Sequence, residues 1–188
     1  MLGEVFVTKC LVIGQERVGE HNLRLTLFSE GGITRATATG ILKPTAKLRG
    51  ALQLFNQVEV TMQGQKITGA HLVQNNTTIS RDINRYYLAN SICESVVKLL
   101  REPAEETALI YDVTLWALAE LANTQTSCYK IFIYFYDLLL SLLGFSIALD
   151  FHFDSDLKLS RARELVTELQ AAYIESLDFS IPLVSHFL

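Results

Sequence analysis

From Val5 to Val73, apolar and polar positions alternate in short runs, the period-two signature of strands buried on one face. Val5, Val7, Leu11 and Ile13 mark a first strand. Leu23, Leu25 and Leu27 alternate with Arg24, Thr26 and Phe28 in a second. The turn Glu30-Gly31-Gly32 leads into a Thr-rich third strand over Ile33–Thr39, suited to a curved barrel wall. Val58–Met62 and Ile67–Val73 flank Gln63-Gly64-Gln65, a glycine-containing hairpin turn. Five short strands in so short a stretch, with turns at regular spacing, predict a small closed barrel or sandwich. A five-stranded OB-fold is the simplest match, and spacing alone does not separate it from an SH3-like barrel.

The pattern changes at Asn75–Ser80, NNTTIS, a polar turn-rich stretch that reads as a linker. Beyond it the apolar spacing becomes helical. A helix from about Arg81 to Leu100 presents Ile83, Tyr87, Ile92, Val96 and Leu99-Leu100 at intervals of three to five. Pro103 stands at a first helical position, with Glu105 and Glu106 favourable to the dipole of a helix running to about Asn123. A third helix covers roughly Ser127–Leu143, stopped by Gly144. A fourth, about Leu157–Leu177, places Leu159, Ala162, Leu165, Val166 and Leu169 on one face. The predicted fold is α+β: a β-barrel domain over residues 1–75, then an all-α helical bundle over residues 80–188.

Ile131–Leu149 is almost wholly apolar and nearly long enough to span a bilayer. Asp137 inside it, Gly144 interrupting it and the lack of flanking basic clusters favour a buried bundle helix, so no membrane association is expected. Cys10, Cys93 and Cys128 are widely separated and odd in number, which fits a reducing cytoplasm rather than a disulfide framework. The N-terminus MLGEVFVTKC carries an acid at position 4 and no apolar core of a secretory signal.

The net charge of −4 conceals a division. Residues 1–82 carry nine Lys+Arg against six Asp+Glu, whereas residues 83–188 carry seven against fourteen. A mildly basic barrel beside an acidic bundle points to modules with different partners. Within the barrel part, Arg24, Arg35, Lys43, Lys47, Arg49 and Lys66 form a candidate DNA-binding track, with no acid between Glu30 and Glu59. The plainer reading is a solvated barrel surface. Phe28 faces away from Leu25 and Leu27, which makes it a candidate stacking platform, with Phe55 a second.

Catalytic and metal chemistry find little footing. There is no G-x-S-x-G, P-loop or G-x-G-x-x-G, and no histidine has an obvious paired nucleophile. Cys93 falls among apolar helix residues, as a buried small hydrophobe would. Asp150, His152, Asp154 and Asp156 alternate as ligands in an extended strand would, but an acidic loop capping the next helix is the expected role. The expectation is a protein with no enzymatic activity, no cofactor and no metal.

Several short motifs resemble the RecO family of bacterial recombination mediators. In the barrel these are Gly19-Glu20, Leu23-Arg24-Leu25-Thr26-Leu27-Phe28, Gly32, Gly40, Lys47-Leu48-Arg49-Gly50-Ala51-Leu52 and Phe55. In the helical part they are Arg81-Asp82-Ile83-Asn84-Arg85-Tyr86-Tyr87, Ile92-Cys93-Glu94, Tyr136-Asp137-Leu138-Leu139 and Leu142-Leu143-Gly144-Phe145. The resemblance covers roughly residues 4–150, and it implies an OB-fold for the barrel. It further implies DNA repair through binding of single- and double-stranded DNA, strand annealing and assistance in RecA loading with RecR. It also implies a nucleoid-associated, cytoplasmic location. The cysteine-paired zinc module that follows Gly-Phe in many relatives is absent, since no cysteine follows Cys128. In the family the helical domain receives the acidic, Phe-ended tail of single-stranded-DNA-binding protein. Lys98, Arg101 and Lys130 are the cations here that could meet such a carboxylate, though each also reads as an ordinary surface charge. The alternative is a non-enzymatic interaction scaffold with little DNA affinity of its own, which the acidic bundle favours.

Overall fold

A computed structural model describes residues 4–100, 104–145, 149, 151–153, 157–177 and 181. Five strands come first: β1 (Val5–Val18), β2 (Asn22–Ser29), β3 (Gly32–Ala38), β4 (Gln57–Gln63) and β5 (Lys66–Gln74). They close into a barrel in the order β1-β2-β3-β5-β4, with β3 and β5 parallel and every other pair antiparallel. This is the OB-fold expected from the sequence.

The long β1 makes closure possible. Its first half, Val5–Leu11, pairs with β4, and its second half, Leu11–Val18, pairs with β2. A bulge between Val12 and Gly14 turns the strand from one partner to the other. Gly14 belongs there because an added Cβ would lie 3.1 Å from both Cβ and Oγ1 of Thr26.

Two cores share the strands. Cys10, Val12, Leu25, Leu27, Ala36, Val58, Val60 and Met62 fill the barrel, and Leu52 and Ile41 close it from the β3–β4 connection. Leu11, Ile13, Phe28 and Phe55 are equally buried but belong to the helical core. The continuous apolar run Cys10–Ile13 therefore has a simple cause: both faces of β1 are covered at that point.

The helices are α1 (Ile83–Leu99), α2 (Thr107–Ala122), α3 (Cys128–Leu142) and α4 (Leu159–Leu177), preceded by a 3-10 turn at Thr77–Arg81. The side chain of Asp82 caps α1, accepting from the Arg85 backbone N–H at 3.0 Å. At the end of α3, Gly144 takes φ +82, its N–H reaches the Ser141 carbonyl, and the Phe145 N–H reaches the Leu140 carbonyl at 2.9 Å. That is a Schellman stop, as the glycine predicts. With 15 residues α3 is short, and no helix among the described residues is long and apolar enough to cross a membrane.

The helical faces differ from expectation in three places. Ile83 is 65% exposed and Tyr87 38% exposed, because α1 turns Arg85, Leu88, Ala89, Ile92 and Val96 inward instead. Leu159 is 51% exposed at the start of α4, while Ala162, Leu165, Val166 and Leu169 are buried as read. Arg85 is the reason the α1 face defies an apolar template. Its guanidinium donates to the carbonyls of Leu121, Asn123, Thr124 and Thr126, at and beyond the C-terminus of α2. Pro103 lies outside the described residues.

The chain between the domains is tied down rather than loose. Asn76 is buried, its N–H donating to Asn56 Oδ1 at 2.8 Å and its side-chain amide to the Phe55 carbonyl at 3.0 Å. Phe55 itself has φ 71, a conformation that this bonding holds in place.

Burial also leaves an alkaline signature. It lifts the thiol of Cys10 to about 12 and raises Cys93, Tyr136 and Tyr173 well above their ordinary values. Unfolded, the thiols would ionise from 9.0 and the phenols from 10.0. The stability these groups contribute is full below about pH 9 and is lost as pH rises toward their folded values. The melting temperature should hold from pH 7 to about pH 9 and then fall steadily to pH 11. A flat profile by circular dichroism over that range would show the four groups to be solvated.

Candidate nucleic-acid interface

The strand register decides which of the six candidate cations meet. Arg24 on β2 stands directly opposite Thr37 on β3, and Thr37 stands opposite Lys66 on β5. Paired positions share a face, so Arg24 and Lys66 flank Thr37 on the outer wall of the barrel. Arg35 lies two residues from Thr37 on β3 and projects to the same side. Three of the six thus form one cluster across β2, β3 and β5. All are exposed, as are Lys43, Lys47 and Arg49.

The remaining three sit on the connection between β3 and β4. Lys43 joins the cluster's end of the barrel, because the Leu42 N–H donates to the His21 carbonyl and the Gly40 N–H to Asn22 Oδ1 at 2.8 Å. Lys43, His21, Glu20 and Thr39 line a polar groove of about 590 Å³ there. Lys47 and Arg49 flank Leu48, whose carbonyl accepts from the Leu52 N–H at 3.1 Å. Leu52 is buried in the barrel while both cations stay in solvent.

Electrostatics separate the six further. Arg24 is held by Glu16 at 3.2 Å, so part of its charge is already answered. The other five make no ion pair among the described residues. Exposed cations of this kind keep counterions that a polyanion can displace.

Phe28 and Phe55 correct the sequence reading. Phe28 does face away from Leu25 and Leu27, but that face is roofed by the helices. Its ring meets Tyr111 of α2 edge-on at 5.4 Å, and Phe55 meets Tyr86 of α1 at 5.9 Å. Neither is available for stacking. Alternation reports which side of a strand a residue takes, not what lies over it. Tyr87, expected on the apolar face of its helix, instead lines with Tyr86 a groove of about 350 Å³ between α1 and the β1–β2 wall.

Of the helical cations, Lys98 pairs with Glu94 one turn back at 3.0 Å. Lys130 is half-buried in the first turn of α3, and Arg101 lies outside the described residues. Asp150, Asp154 and Asp156 also lie outside them, and His152 is exposed. No group of three or more metal-ligating side chains comes together among the described residues.

OB-folds bind oligonucleotides and oligosaccharides on the face of their second and third strands, flanked by the loops between strands one and two and strands four and five. In this chain the cations Arg24 and Arg35 lie on that face, Lys66 borders it, and Glu20-His21 and Gly64-Gln65 form the two loops. The fold and its charged face define an OB-barrel protein with a cluster of exposed cations on the barrel's outer wall, followed by a set of helices. Residues 3–79 match the family described as "Recombination protein O N terminal". "DNA repair protein RecO" of Caldanaerobacter subterraneus subsp. tengcongensis is 31% identical over 151 residues, covering 76% of this chain and 60% of that protein. "DNA repair protein RecO" of one strain of Dehalococcoides mccartyi is 28% identical over 134 residues, 68% of this chain and 53% of that protein. The counterpart in a second strain is 29% identical over 123 residues, 63% of this chain and 48% of that protein. The chain belongs to the RecO family, and its matches span about half to three-fifths of the length of these relatives.

Proposed function

We propose that the protein is a recombination mediator in DNA repair. It binds single- and double-stranded DNA without sequence specificity, anneals complementary strands and, with RecR, assists RecA loading onto strands coated by single-stranded-DNA-binding protein. The observation that carries this reading is the cluster of Arg35 and Lys66 beside Arg24 on the ligand face of the barrel, with Lys43 at its edge. Of these only Arg24 is ion-paired among the described residues. The cations neutralise phosphates and release counterions, so two strands approach with less repulsion. Phosphate contacts carry no sequence information, and no base-reading motif accompanies them. No nucleotide hydrolysis is involved. Lys47 and Arg49 extend the track along the β3–β4 connection. The acidic tail of single-stranded-DNA-binding protein is received by the helical domain, for which Lys98, Arg101 and Lys130 are the candidate cations.

The test is fluorescence anisotropy of a labelled mixed-sequence single strand from low to physiological salt. The expected result is sequence-indifferent binding with a log–log slope worth several phosphates, at about 0.7 per phosphate. A second reading, a protein-interaction scaffold, draws on the acidic bundle. Absence of binding at low salt, with partners still captured after nuclease treatment, would favour it.

A further inference from the structure

We propose that the groove between the barrel and α1 receives one unstacked base of a single strand whose phosphates lie on the basic cluster. The proposal rests on the DNA-binding reading and adds what that reading leaves open: how a single strand is told from a duplex.

The groove adjoins the cluster directly. Its floor is Ile13, Gly14 and Thr26, and Thr26 stands opposite Arg35 in the β2–β3 register. The guanidinium therefore rises one strand away from the floor, on the same outer face, within about 5 Å at the backbone. Gly14 adds no side chain of its own to that floor, and the Thr26 side chain packs closely over it. Tyr86 and Tyr87 form the wall. Tyr86 is braced edge-on by buried Phe55 and in turn meets Tyr87, each at 5.9 Å between ring centres. The ring chain runs from the packed interior to Tyr87, which is 38% exposed. Cations beside a rigid aromatic surface are the combination by which single strands are held, phosphates outside and bases stacked.

The chemistry of the groove selects a base rather than a phosphate. Its volume of about 350 Å³ lies in the range of small-ligand pockets, and its inner wall is Cys93 and Val97. The carboxylate at its far end is Glu94, ion-paired with Lys98. Among the described residues no cation lines the groove to receive a phosphate or an acidic peptide, while the side chain of Asn90 offers a polar contact to a base edge. A duplex can fill the groove only by flipping out a base, at a cost of a few kcal/mol. The groove therefore favours single strands.

The experiment compares the 188-residue chain with its Tyr87→Ala and Tyr87→Phe variants. Each is titrated by anisotropy with a labelled mixed-sequence single strand, its duplex, and a strand of equal length carrying abasic sites throughout. Tyr87→Ala should weaken single-strand binding about tenfold, the effect of one stacked base. It should leave duplex and abasic-strand affinities unchanged, and Tyr87→Phe should match the unsubstituted chain. Equal weakening for all three ligands, or none, overturns the groove proposal while DNA binding stands. If the unsubstituted chain binds no strand at low salt, both readings fall.

Discussion

Reversing Arg35, Lys43 and Lys66 together to Glu should weaken single-strand binding about a hundredfold at low salt, since each reversal replaces an attraction with a repulsion of similar size. These three are chosen because they lie on or beside the outer wall around Thr37 and make no ion pair among the described residues. Arg24 is spared because releasing Glu16 from it would add a second, unrelated change. The log–log salt slope should fall by about 2, three lost phosphates at about 0.7 each. Reversal of Lys130 on the helical bundle serves as the control and should leave the slope where it was. A triple variant with an unchanged slope would remove the barrel face from the DNA site, whatever happened to the affinity.

The substitution Arg85→Met should cost about 3 kcal/mol of folding stability. The side chain is only 7% exposed, and its two terminal nitrogens serve four carbonyls: Leu121, Asn123, Thr124 and Thr126. Three of these follow the last turn of α2 and set the path of the chain into α3, so the arginine pins one helix's end while belonging to another. A cation at a helix C-terminus also opposes the partial negative charge of the unpaired carbonyls. The milder change Arg85→Lys should recover little of the loss, because a single ammonium lacks the planar fork that reaches four acceptors. Urea unfolding reads the effect as a shift of the midpoint at unchanged slope. A methionine variant within about 0.5 kcal/mol of the parent, on the scale expected for surface substitutions, would mean that water replaces the guanidinium freely.

Arg85 also marks the boundary of what the sequence discloses. Its position within Arg81–Tyr87 counted toward the family resemblance, yet nothing in the spacing says that a cation turns inward where Ile83 and Tyr87 turn out. Partners 36 to 41 residues away decide that face. The strands are more legible because alternation is local: each predicted run overlaps an observed strand, and Gly64 and Gly144 stand where the sequence predicts a turn and a stop. The cluster of Arg24, Arg35 and Lys66 was visible as charge but not as a cluster, since the β3–β5 pairing that unites it is non-local. Phe28 failed for the same reason in reverse. Alternation gives its face, and α2 covers that face from far downstream in the chain.

That last separation has a consequence for how the chain is made. The barrel strands end at Gln74, whereas Tyr111, which touches Phe28 and accepts a hydrogen bond from Gln57 at 3.1 Å, belongs to α2. A ribosome adding about 5–20 residues per second delivers the strands seconds before the helix that roofs them. Through that interval the nascent barrel carries Leu11, Ile13, Phe28 and Phe55 as an uncovered greasy seam, and chaperones that hold emerging chains have a window in which to shield it.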